Sequence, residues 1–307
     1  MQEIEVERCN RLQKLVVELV RAGRLLCPES EQEEEYVAQR LDDDVHSTFH
    51  SLSFGISLEP RQGIMDKHIF IGMKAYAIGS TVIDVPSSSF FHRDPYRQLD
   101  EVRKRRIFAT VGPTRIPEWL KRRIDTKLAV HRTSEQIRQQ FVASGRTYEE
   151  QLEEEKKGEI KSILIAVKRF QENLLAGKFD PWDYMGAMGG LQYMDYWTRL
   201  GAQPCGWEGL WNFFCSPYFN ELPLPYIACR LGAELLTGNE PIATGDSKDI
   251  DLLSVALPVA HYVLTDRRME QRIKKLGLDE MFHAEVFSMS TVDGLFGRLE
   301  RLRQTDD

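Results

Sequence analysis

Residues 246–289 predict an α/β fold built on a parallel sheet. An acid-opened helix (Asp246 to Leu257) leads into a short apolar strand (Tyr262-Val263-Leu264). A second helix (Arg267 to Leu276) and a second strand (Ala284 to Met289) follow. Strands alternating with helices are the pattern of sheets whose crossovers are helical. A brief strand, Arg24 to Cys27, lies between two helical stretches near the N-terminus. The division that follows is one α/β core from residues 1–85 and 220–307, with a mainly helical insertion over 86–219.

Taken in order, residues 4–22 place Leu12, Leu15, Val16, Leu19 and Val20 on one helical face, and Gly23 stops the helix. Arg24 to Cys27 is extended until Pro28 breaks it. Ser30 with Glu33 is a capping-box signature for a further helix. That helix opens an acidic segment with Glu31, Glu33, Glu34, Glu35, Asp42, Asp43 and Asp44. A solvated helix face accounts for most of these acids. His46 and His50 stand four apart, a spacing that can bind metal, but lack the glutamate of a metalloprotease helix. Residues 64–78 read as a mostly buried helix ending at Gly79, although Ile69-Phe70-Ile71 also suits a strand. Pro86 to Phe91 is a serine-rich turn.

Residues 93–132 carry twelve Arg or Lys against five acids. Clustered cations of this kind suit a phosphate backbone; an ordinary basic surface that pairs with the acids at 29–44 fits equally. Phe108 and Trp119 suit base stacking or the core. Residues 134–176 repeat apolar positions at helical spacing. Aromatic residues crowd 179–219, either as a packing core between helices or as a stacking platform. Leu222 to Leu235 form an amphipathic helix that Gly238 ends.

In the stretch that follows, Asp246 and Asp249 stand three apart at the helix start, as in a capping box, and Pro258 ends the helix. Thr265 or Asp266 caps the helix after the strand. Capping alone accounts for these three aspartates. Two or three carboxylates at one sheet edge would also hold a divalent cation, because Mg²⁺ and Mn²⁺ prefer hard oxygen ligands. The carboxyl end of a strand is where open α/β sheets place their chemistry.

Composition narrows the classes. A 307-residue chain with 42% apolar residues builds a sizeable core. Its net charge of −7 does not mark a whole-molecule nucleic-acid binder. Five scattered cysteines without CxxC spacing argue against a zinc site and against a secreted disulfide framework. No apolar run approaches about 18 residues, and the start lacks a charged-then-apolar leader. The expectation is a cytoplasmic protein with no membrane partner.

Three stretches resemble the PIN-like nuclease superfamily: Asp249-Ile250-Asp251-Leu252 with Leu257-Pro258, Tyr262 to Arg267, and Gly23 to Ser30 with the glutamates after it. The resemblance implies a three-layer PIN-like core with a parallel sheet. It also implies a metal-dependent ribonuclease that hydrolyses phosphodiester bonds. Glu35, Asp249 and Asp266 would be catalytic. The same three with Asp246 would hold Mg²⁺ or Mn²⁺, Glu31 and Glu34 being rivals of Glu35. Arg103, Arg105, Arg106, Arg267 and Arg268 would contact RNA. The family's central first strand, ending in aspartate, has no counterpart before Gly23. That departure supports an alternative: a catalytically degenerate protein on the same scaffold that binds RNA or a protein partner. A phosphatase is a more distant reading.

Overall fold

The computed structural model describes residues 2–30, 52–53, 55–92, 106–110 and 121–304. Glu31, Glu34, Glu35, His46, His50, Arg103 and Arg105 lie outside them. Along the chain the first elements are α1 (Gln2–Arg21), β1 (Leu25–Leu26), β2 (Ser57–Leu58), α2 (Arg61–Ala77), β3 (Phe91–His92) and β4 (Arg106–Thr110). Six helices follow: α3 (Lys121–Ser144), α4 (Tyr148–Glu155), α5 (Gly158–Leu175), α6 (Pro181–Arg199), α7 (Trp207–Phe214) and α8 (Pro217–Asn220). The rest are α9 (Pro223–Thr237), α10 (Asp246–Ala256), β5 (Tyr262–Leu264), α11 (Arg267–Lys275), α12 (Leu278–Phe282), β6 (Glu285–Phe287) and α13 (Val292–Gln304).

Two compact units form. The first comprises Met1–Ile64, Ser87–Ile137 and Glu240–Asp307; the second comprises Met65–Pro86 and Arg138–Asn239.

In the first unit α1 buries Leu12, Leu15, Val16, Leu19 and Val20 in one cluster with Val292, Leu295, Phe296 and Leu299 of α13. Leu25 and Tyr262 of the strands complete it. Gly23 ends α1 in the left-handed region at φ 70°, where a side chain would be strained. Arg8–Asp293 at 3.0 Å and Arg11–Glu300 at 2.6 Å flank the cluster. Such surface pairs contribute about 0–1 kcal/mol each. Truncating one fully buried leucine costs about 2–5 kcal/mol, so the apolar seam decides the packing.

The unit's sheet has the order β1-β4-β5-β6, with every neighbouring pair parallel. Leu26 pairs with Ile107, Ala109 with Val263, and Val263 with Val286. The place between β1 and β5 is thus filled by β4, which comes from the basic segment. It ends at Ala109-Thr110 and carries no carboxylate. A separate antiparallel pair joins β2 to β3.

These proportions correct the expected fold class. Among the described residues helix dominates and the strands are two to five residues long, so the fold is not an α/β parallel-sheet PIN-like three-layer core with a helical insertion. The strands are that short because their neighbours end them at once. Pro28 follows β1 closely, Asp266 starts a helix two residues after β5, and His283 at φ 55° precedes β6. Ile69-Phe70-Ile71 is helical, within α2.

The second unit is helical around an aromatic core. Tyr193, Trp197, Phe213, Phe214 and Phe219 are fully buried. Trp197 Nε1 donates to the Pro204 carbonyl at 2.9 Å, and the Tyr193 hydroxyl donates to Asp66 Oδ1 at 2.6 Å. Rings so enclosed have no face left for a nucleobase, which decides between core and stacking platform for these residues. Among the described residues, no helix is long and apolar enough to cross a membrane.

Candidate metal centre

The helix start and the strand end meet in the first unit. Asp246, Asp249 and Asp266 each offer a carboxylate oxygen, and these atoms all lie within 4.8 Å of one another. Asp246 and Asp249 are buried, at 1% and 5% exposure, and Asp266 is half-buried. Two of the three come from the first turn of α10. The third sits at the carboxyl end of β5.

Two of the aspartates have a clear local reason for their place. Asp266 is the N-cap of α11: its Oδ1 accepts from the backbone N–H of Arg268 at 2.7 Å and of Met269 at 3.0 Å. These satisfy two donors that a helix start leaves orphaned. Its Oδ2 makes no hydrogen bond among the described residues. Asp246 is the first residue of α10, and Gly245 occupies the cap position without a side chain to cap. Asp246 Oδ2 instead accepts from the Ala243 N–H at 2.8 Å.

Asp246 is also held by two guanidinium groups of α11. Arg268 Nη2 donates to its Oδ1 at 3.2 Å, and Arg272 Nη1 lies 3.7 Å from its Oδ2. Arg268 and Arg272 are four apart and share a helix face. Formally they offset two of the three negative charges, so the cluster is less repulsive than three bare carboxylates. The same guanidiniums occupy oxygens that a cation would use.

One buried group nearby is unsatisfied. The Thr265 hydroxyl, on a residue 5% exposed, has no hydrogen-bond partner among the described residues. Strand alternation puts Thr265 on the face opposite Tyr262 and Leu264, which pack in the α1–α13 cluster. An orphaned buried hydroxyl costs about 1–3 kcal/mol. Three carboxylates, mostly buried and offering only oxygen donors, are a set that could hold a hard divalent cation.

The chain matches no protein-family model, no curated protein and no solved structure.

The remaining expected residues are placed as follows. Glu35 and its rivals Glu31 and Glu34 lie outside the described residues, as do Arg103 and Arg105. Arg106 opens β4. Arg267 is exposed at the first position of α11, beside Asp266. Arg268 turns inward onto Asp246 and onto the Pro241 carbonyl at 3.0 Å. Arg272 is not among the residues that the sequence singles out, although its spacing from Arg268 is a usable signal. The sequence offers Thr265 and Asp266 equally as the cap, and Asp266 takes that role.

Proposed function

We propose that this chain is a divalent-cation-dependent phosphodiesterase, a ribonuclease in its substrate class. The observation that carries the reading is the approach of Asp246, Asp249 and Asp266 to within 4.8 Å at the carboxyl end of a parallel strand. Asp249 and Asp266 would be the principal ligands of Mg²⁺ or Mn²⁺, with Asp246 held beside them by Arg268 and Arg272. When bound, such a cation supplies charge neutralisation and acidifies water. The chain's own residues hold the carboxylates in place through the α11 cap and the Ala243 N–H. Arg267, exposed next to Asp266, would meet a phosphate. Glu35 is proposed as a further ligand from the acidic segment, and Arg103, Arg105 and Arg106 as RNA contacts. The compartment proposed is the cytoplasm.

The test is Mn²⁺-dependent cleavage of single-stranded RNA by the full chain. Asp249→Asn and Asp266→Asn are expected to abolish it while circular dichroism stays unchanged. Undiminished cleavage in both variants overturns the reading. A second reading, a degenerate module that binds RNA or a protein without turnover, is favoured by one observation: β4, between β1 and β5, ends in Thr110 and brings no acid. RNA affinity without Mn²⁺-dependent turnover in the unmutated chain is its expected signature.

A further inference from the structure

We infer that His131 and Glu135 of α3 are positioning residues for the carboxylate cluster, acting through the loop that leads into α10. The inference rests on the proposed cation site.

The loop between Glu240 and Gly245 has no helix or strand of its own. Yet side chains hold three consecutive residues of it. Glu135 Oε2 accepts from the Ile242 N–H at 2.9 Å, and His131 Nε2 lies 2.8 Å from the Ile242 carbonyl oxygen. A carbonyl only accepts, so Nε2 carries the proton. His131 and Glu135 stand four apart on α3 and share a face. Together they take both backbone polar groups of one residue, whose own side chain is buried.

The residues on either side of Ile242 connect this clamp to the site. Ala243 donates its N–H to Asp246 Oδ2 at 2.8 Å and accepts from the Asp246 N–H at 3.2 Å. Pro241 accepts from Arg268 Nη1 at 3.0 Å, while Nη2 of the same guanidinium holds Asp246 Oδ1. Moving Ile242 therefore moves the donor that orients one Asp246 oxygen and the acceptor that anchors the arginine on the other. Cation ligation tolerates displacements of about 0.2 Å, so a loosened loop shows first in affinity.

The experiment is Mn²⁺ titration of the full chain by calorimetry, with the electron paramagnetic resonance spectrum of bound Mn²⁺ as the second readout. Glu135→Ala and His131→Ala are expected to weaken binding about tenfold at unchanged stoichiometry, the effect usual for groups that orient ligands. Glu135→Gln keeps an oxygen that accepts from the Ile242 N–H. It is expected to retain wild-type affinity and spectrum. That rescue separates holding the loop from a general effect of charge or stability. If either alanine variant fails to fold, the other and the glutamine variant still decide. Wild-type affinity in both alanine variants overturns the inference while leaving the cation site standing. A wild-type chain that takes up no Mn²⁺ overturns the site and this inference with it.

Discussion

Asp266 is where the two accounts of the cluster part, because its two oxygens have different work. Oδ1 caps α11 through Arg268 and Met269, and Oδ2 has no hydrogen-bond partner among the described residues. Asp266→Asn keeps an oxygen for the cap. Asparagine and aspartate are near equals at this position. The loss is then the interaction of a negative charge with the helix start, about 0.3–1 kcal/mol. Asp266→Ala removes the cap altogether and should cost about 1–2 kcal/mol. Cation affinity ranks the variants differently. Both lose an anionic oxygen, so both should bind Mn²⁺ at least about tenfold more weakly, in line with the cost of disturbing a metal's ligand set.

Urea unfolding and Mn²⁺ calorimetry on the two variants read the two quantities separately. The expected pattern is a graded loss of stability with an equal loss of affinity. If Asp266→Asn binds Mn²⁺ like the wild type, the residue is a cap and nothing more. If it is as unstable as Asp266→Ala, the division of labour between its oxygens is refuted.

Other perturbations test neighbouring parts of the argument. Arg272, largely buried at 3.7 Å from Asp246, competes with any cation for that carboxylate. Arg272→Met should therefore tighten Mn²⁺ binding by about tenfold or more, since removing a charge a few ångströms from a divalent ion relieves at least about 1–2 kcal/mol even after screening; unchanged or weaker binding would sink the competition. His68 is fully buried, and burial, with Lys67 adding to it, lowers its pKa from 6.5 to about 4. The unfolded chain then binds the extra proton first, so the stability tied to neutral His68 is complete above pH 6.5 and is lost as pH falls toward 4. The ceiling is about 3 kcal/mol, and urea midpoints should show wild type losing stability relative to His68→Leu as pH falls from 7 to 4; a constant difference would refute it. Burial pushes the Cys229 thiol up to about 12, with Glu155 adding to the shift, whereas Cys9 and Cys205 are exposed. Iodoacetamide at pH 8 should label Cys9 and Cys205 in the folded protein and reach Cys229 only on unfolding, as read by peptide mass.

Local pattern carried the readable part of this fold. The strand Tyr262-Val263-Leu264 falls where its apolar run puts it, and α11 begins at Arg267 behind its aspartate cap. The apolar face of α1 is the buried one. What could not be read locally was the balance of the whole. Helices of 15 to 24 residues outweigh strands of two to five, and no single window announces that ratio. The strand at 106–110 was hidden by its flanks: Ile107-Phe108-Ala109 is apolar, but the arginines before it draw the eye to phosphate. Nor could spacing reveal that Ile242 is held by residues 107 and 111 positions away.

Capping and ligation are not rival explanations at the level of atoms. A carboxylate has about four acceptor positions, and a cap uses two of them. For Asp266 both go to one oxygen, which leaves the other without a hydrogen bond among the described residues. For Asp246 the positions go to Ala243, Arg268 and Arg272, so little capacity remains. The same helix starts that explain why aspartates stand here thus also rank them as ligands, Asp266 ahead of Asp246. A site built this way from two helix starts would hold a cation by few protein oxygens and leave several coordination places to water, as Mg²⁺ prefers. The physical case for a cation here therefore rests less on the number of acids than on the Asp266 oxygen that the helix cap leaves unused.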